Sequence, residues 1–118
     1  MLMLRENLNV YVWLKPIDMR KSINGLTALV FDEFEATPQS EHLFLFYNKK
    51  KDKVKIVYWD RNGFVLHYKR LDKGRFKFKK HYHQTTLSIS ENQLNWLLAG
   101  LDFQLMNEFN EISYTHYY

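Results

Sequence analysis

The chain has no cysteine among its 118 residues. Disulfides, thiolate metal sites and cysteine nucleophiles are therefore excluded, and the composition suits a reducing compartment. Its four glycines are scattered at positions 25, 63, 74 and 100, so no glycine-rich phosphate-binding loop can be drawn. Long apolar runs are lacking too. Arg5, Glu6, Asn7 and Asn9 interrupt the N-terminal stretch, which therefore has no apolar core of a secretory signal. No segment approaches the roughly 20 apolar residues that cross a bilayer. These gaps predict a soluble, cytoplasmic protein without membrane contact.

Acids are scarce where cations abound. Residues 49–80 hold 13 of the 17 Lys and Arg residues against only Asp52, Asp60 and Asp72, in a chain of net charge +4. Val, Ile, Phe, Tyr and Trp alternate with those cations. Along a strand, alternation sends neighbouring side chains to opposite faces. The segment thus encodes an apolar side and a cationic side, and a concentrated cationic surface attracts polyanions, nucleic acid above all. The aromatic content of 17% is high. It serves either core filling in a small domain or stacking on bases.

The length allows one domain with a single modest core. Residues 10–14 form a short β-type run, broken at Lys15-Pro16-Ile17. Asp18 is placed to cap a helix, and Met19, Ile23, Leu26, Val30 and Phe34 follow at steps of three or four, predicting a helix over 19–34. Gly25 inside it implies close packing against another element. Residues 42–47 are apolar on both faces and belong at the centre of a sheet. Strands are predicted over 54–59, 64–71, 75–82 and 85–89, separated by a charged loop at 48–53 and tight turns at 60–63 and 72–74. Ser90 and Gln93 match a capping box. Leu94, Leu97, Leu98 and Leu101 make one stripe of a helix over 91–101, with Gly100 as its C-terminal cap. The expected fold is α+β: an antiparallel meander of about five or six strands whose apolar face is covered by two α-helices. One domain is expected over 1–103, followed by a Tyr-rich tail at 104–118.

Taken alone, the residues offer several chemistries. The cationic candidates are Arg20, Lys21, Lys49, Lys50, Lys51, Lys53, Lys69, Arg70, Lys73, Arg75, Lys77 and Lys79. Lysine predominates, which favours phosphate contact over base reading, because bidentate base recognition prefers Arg. Asp52, Asp60 and Asp72 raise a metal-dependent nuclease, since carboxylates hold the metals of phosphoryl transfer. All three fall at predicted turns, where Asp is common for local reasons. His81 and His83 share a strand face but lack a third zinc ligand. Trp13, Trp59 and Trp96 are assigned to the core. Ser, Thr and Lys present no nucleophile beside a base. No enzyme, cofactor or metal is expected.

Three blocks, in order, resemble a known family. The first is Pro16-Ile17-Asp18-Met19-Arg20-Lys21 with Gly25-Leu26 and Leu29-Val30. The second runs from His42-Leu43-Phe44-Leu45-Phe46 through Asp52, Lys55, Trp59-Asp60, Gly63-Phe64 and Lys69-Arg70-Leu71 to Gly74-Arg75-Phe76. The third is Ile89-Ser90, Gln93-Leu94, Leu97-Leu98, Gly100 and Asp102. Together they resemble the accessory protein (TnpB, the product of the second open reading frame) of IS66-type insertion sequences, over about residues 8–103. The resemblance implies a non-catalytic accessory role in DNA transposition beside a separate transposase, and it brings no catalytic residues. The expected partners are DNA, bound with weak sequence preference, and the transposase or other element-encoded proteins. The alternative is a protein–protein adaptor that never touches DNA.

Overall fold

The residues Leu43–Tyr47 are buried at every position, so the strand they form needs cover on both sides. That requirement organises the fold. The computed structural model describes residues 9–34, 40, 42–78 and 84–104. In chain order the elements are β1 (Val10–Trp13), α1 (Ile23–Glu33), β2 (Leu43–Tyr47), β3 (Lys53–Asp60), β4 (Gly63–Arg70), β5 (Thr86–Ile89) and α2 (Glu91–Leu98). The sheet order is β4-β3-β2-β1-β5, with β2 at the centre. Pairing is antiparallel between β2 and β3, β3 and β4, and β1 and β5. The fold is α+β, a five-stranded, mostly antiparallel sheet with two helices.

Two features depart from the expected meander. First, β1 and β2 are parallel, with Val10 opposite Leu43 and Val12 opposite Leu45. Parallel neighbours need a long crossover, and α1 supplies it. Second, the helices lie on opposite faces. Val10, Val12, Leu43, Leu45, Val54, Ile56 and Ile89 form one core with Leu94 and Leu97 of α2. Trp13, Phe44, Phe46 and Val57 form another with Leu26 and Val30 of α1. Period-two alternation divides each strand between the two. Burying one such side chain contributes roughly 1.5–3 kcal/mol, so each helix is held by its own layer.

Helix α2 starts as its sequence signals predict but ends at Leu98, short of the expected 101, and Leu101 is exposed rather than part of the buried stripe. The Ser90 amide donates to Gln93 Oε1 at 2.8 Å, and the Gln93 amide donates to Ser90 Oγ at 3.1 Å. At its other end the Gly100 amide donates to the Leu97 carbonyl and the Leu101 amide to the Trp96 carbonyl, both at 2.9 Å. Gly100 has φ +83°, the left-handed cap that glycine adopts at least cost.

Helix α1 does not start at Asp18. Its N-cap is Ser22, whose side chain makes no cap bond. The Asp18 carboxylate instead accepts from the Arg20 amide at 2.9 Å, closing a turn ahead of the helix. Gly25 also departs from expectation: a Cβ there would meet only the Lys21 side chain, at an ordinary 3.6 Å. The described part of the expected 75–82 strand, residues 75–78, joins no ladder. Its alternation is real, since Phe76 and Phe78 are buried while Arg75 and Lys77 are exposed. However, the Phe76 amide donates to the carbonyl of Lys51 in the β2–β3 loop. Phe78 stacks on Tyr47 with centroids 4.1 Å apart. The chain therefore crosses the end of the sheet. Residues 79–83, with His81 and His83, and the tail beyond Gln104 lie outside the described residues. Trp13 is buried, whereas Trp59 and Trp96 are half-buried.

Candidate nucleic-acid interface

Strands β1, β2 and β4 all finish at one end of the sheet, and β3 begins there. Three basic stretches, distant in sequence, meet at that end. The first is the turn before α1. The Ile17 amide bonds to the Tyr47 carbonyl at 2.9 Å, which sets Arg20 and Lys21 beside the end of β2. The second is the β2–β3 loop with Lys49, Lys50 and Lys51. The third leaves β4 with Arg70, Lys73, Arg75 and Lys77. The Leu71 amide bonds to the Asp52 carbonyl at 2.8 Å and the Phe76 amide to the Lys51 carbonyl at 2.7 Å, so it lies across the second.

The β2–β3 loop owes its shape to a neutral side chain. Asn48 is nearly buried. Its Oδ1 accepts from the amides of Asp52 at 3.1 Å and Lys53 at 3.0 Å, and its Nδ2 donates to Asp52 Oδ1 at 2.6 Å. That last bond is the main reason the Asp52 carboxyl sits below the usual carboxylate range. With the loop fixed this way, Lys49 and Lys50 are exposed to solvent.

Other cations already have partners. Arg20 is 92% exposed at its side chain, yet its Nε and Nη2 clasp Asp18, with Nη2 to Oδ2 at 2.6 Å. This clasp lowers Asp18 to about 2, chiefly through the guanidinium hydrogen bonds. Lys51 Nζ reaches the Phe78 carbonyl at 3.5 Å, and Lys53 Nζ lies 3.7 Å from Asp52. Lys69 projects to the α2 face and donates to the Leu98 carbonyl at 2.5 Å. It thereby brings a cation to a helix C-terminus that has none in its own last turn. Arg70, Lys73, Arg75 and Lys77 are exposed. Lys79 lies outside the described residues.

Sequence reasoning passed over Lys55. It is 8% exposed, and its Nζ donates to the carbonyls of Met19 at 2.5 Å and Lys21 at 2.9 Å. The ammonium thus pins the Arg20–Lys21 turn onto β3. A lysine between Val54 and Ile56, in a strand covered on both faces, was the available signal: a buried cation must find acceptors. Lys15, exposed at the end of β1 with Nζ 5.7 Å from the Trp13 ring, and Tyr68 were missed as well.

The three carboxylates do not come together, because Asp60 lies at the opposite end of β3 from Asp52 and Asp72. Asp52 and Asp60 bracket β3 and are separated by about 25 Å at a strand rise of roughly 3.3 Å per residue. Among the described residues no three His, Asp or Glu are grouped to hold a metal ion. On the α2 face, burial pushes His67 below its ordinary pKa. No described helix is long and apolar enough to cross a membrane.

Comparison with known proteins gives the context of this basic end. Residues 8–108 match the family of IS66 Orf2-like proteins. Two uncharacterized proteins of Sinorhizobium fredii are similar. One, y4jC, is 35% identical over 98 residues, which are 83% of each chain. The other, y4hO, is 33% identical over 104 residues, covering 86% of this chain and 90% of that one. No solved structure matches.

Proposed function

We propose, from the premise that this chain belongs to the IS66 Orf2-like family, that it is a non-catalytic accessory protein of transposition that holds DNA phosphates with the basic end of its sheet. Family membership carries the broader statement, a role beside the transposition machinery of an insertion sequence. One observation carries the finer one. Cations from three stretches of sequence converge on one end of the sheet, while the fold gives Lys49, Lys50, Arg70, Lys73, Arg75 and Lys77 no buried task. Lysines at loop tips are suited to phosphates, which position a protein on nucleic acid without specifying sequence.

Elsewhere on the surface, α1 finishes in Asp32 and Glu33, and Phe31 beside them is 67% exposed. An apolar side chain next to acids is a fitting anchor for a protein partner with a basic surface, such as the transposase. In this reading residues 1–103 work as one domain in the cytoplasm, with the tail as an appendage.

Fluorescence anisotropy with element-end and scrambled duplexes across a salt series tests the proposal. Neutralising about five phosphates gives a slope of log K against log salt near −4.5. Equal binding to both duplexes is expected. Absence of binding at about 100 mM salt, where several phosphate contacts still register, overturns DNA contact and leaves the adaptor role, in which the basic end meets an acidic protein.

A further inference from the structure

We propose that Tyr68 is a base-stacking residue and that the basic end takes DNA with an unpaired, single-stranded stretch. The inference rests on the DNA-contact reading above and specifies the form of the ligand.

Tyr68 stands apart from the other described tyrosines. Tyr11 is stacked on Phe44 at 5.7 Å, Tyr47 on Phe78 at 4.1 Å, and Tyr58 on His67 at 5.7 Å. Tyr68 is 53% exposed, and among the described residues its ring meets no other aromatic ring. Its close neighbour is a cation instead. Lys55, directly opposite in the β3–β4 ladder, places Nζ 5.5 Å from the ring centroid. The same ammonium holds the Met19 and Lys21 carbonyls, so the ring is fixed beside the Arg20–Lys21 turn.

Two residues further along β4, on the same face, Arg70 lies opposite Lys53. A strand rises roughly 3.3 Å per residue, which puts Arg70 about 7 Å along the strand from Tyr68, while Lys53 is taken up by Asp52 at 3.7 Å. An aromatic plane flanked by phosphate-binding side chains is the arrangement that single-strand binders use: cations follow the backbone while bases stack on rings. A duplex keeps its base faces stacked on one another and has no use for an exposed ring. Tyr68 in these surroundings therefore selects for DNA whose bases are free.

The test uses the full-length protein with dye-labelled dT12 and a 12-base-pair duplex, followed by anisotropy across a salt series. The variants are Tyr68→Phe, Tyr68→Leu and Arg70→Ala. Circular dichroism checks folding, and Tyr68→Leu keeps an apolar side chain on β4. Stacking on one base gives a loss of about 5- to 150-fold for dT12 with Tyr68→Leu, at an unchanged salt slope. Tyr68→Phe retains wild-type affinity, and duplex binding is unaltered by either change. Arg70→Ala lowers the dT12 slope by about 0.7. If Tyr68→Leu binds dT12 as wild type does, or loses duplex and single strand equally, the stacking role is overturned while DNA contact stands. If wild type binds neither probe, both fall.

Discussion

The two hairpins that begin and end β3 solve the same turning problem in different ways. The β2–β3 loop is held from inside by Asn48, whose amide binds three groups of the loop. Lys49 and Lys50 at its tip are spared any structural duty, whereas Lys51 takes φ +60° and reaches the Phe78 carbonyl. The β3–β4 turn closes between Asp60 and Gly63 with no such support. Arg61 takes φ +54°, a conformation that costs a non-glycine residue about 1–2 kcal/mol. The surroundings differ in sign as well. The first hairpin lies among Lys15, Lys21, Lys73, Arg75 and Lys77, the second at the end where α2 starts with Glu91. A loop whose shape comes from a neutral, buried amide leaves Lys49 and Lys50 free for a ligand. A loop that supplies its own geometry needs no such freedom.

Substitutions can break or sharpen this contrast. The largest stability effect is expected at Asn48. Replacing it by Ala leaves the amides of Asp52 and Lys53 unpaired and costs about 2–3 kcal/mol in denaturant unfolding. Asn62→Ala in the other hairpin stays within about 0.5 kcal/mol. Next comes Lys55→Met, which keeps the stem but strips two carbonyls of their donor. A loss of about 2 kcal/mol is expected, with the resonances of Arg20 and Lys21 moving more than those of the far hairpin. Arg61→Gly relieves the left-handed strain and raises stability by about 1 kcal/mol, measured by the same unfolding curves. Gly25→Ala, with only the Lys21 stem nearby, adds about 0.4–1 kcal/mol.

The smallest effect is a titration. Asp18 is lowered from 3.8 to about 2, so its ionised form is the one the fold favours. The contribution of the Asp18–Arg20 clasp is present above pH 4 and fades as the pH falls from there through about 2. Carboxyl-detected NMR should place the Asp18 midpoint near 2. A midpoint near 3.8 would mean that Arg20 swings free of its partner.

Much of the fold could be read locally. Ser90, Gln93 and Gly100 mark both ends of α2 because capping is a matter of neighbouring residues. The alternation from Val54 to Arg70 gives strands at almost their observed limits. What was hidden depends on distant contacts. Asp18 and Ser22 are both able to cap a helix, and Lys55, more than thirty residues away, fastens the turn between them. Residues 42–47, apolar on both faces, marked a central strand, yet both helices were expected on one face, because nothing local says which helix goes to which side. In the candidate site, the excess charge was legible but its sharing-out was not. Lys69 serves a helix C-terminus and Lys49 serves none, although both read as surface lysines.

The central claim is that nucleic acid meets one end of the sheet. Backbone amide NMR of the labelled protein, titrated with a short DNA carrying a single-stranded overhang, tests it most directly. The account predicts shifts at residues 15–21, 49–53 and 68–77, with those of 60–63 and 91 unmoved. Shifts centred on the Asp60–Gly63 turn and the start of α2 would contradict it.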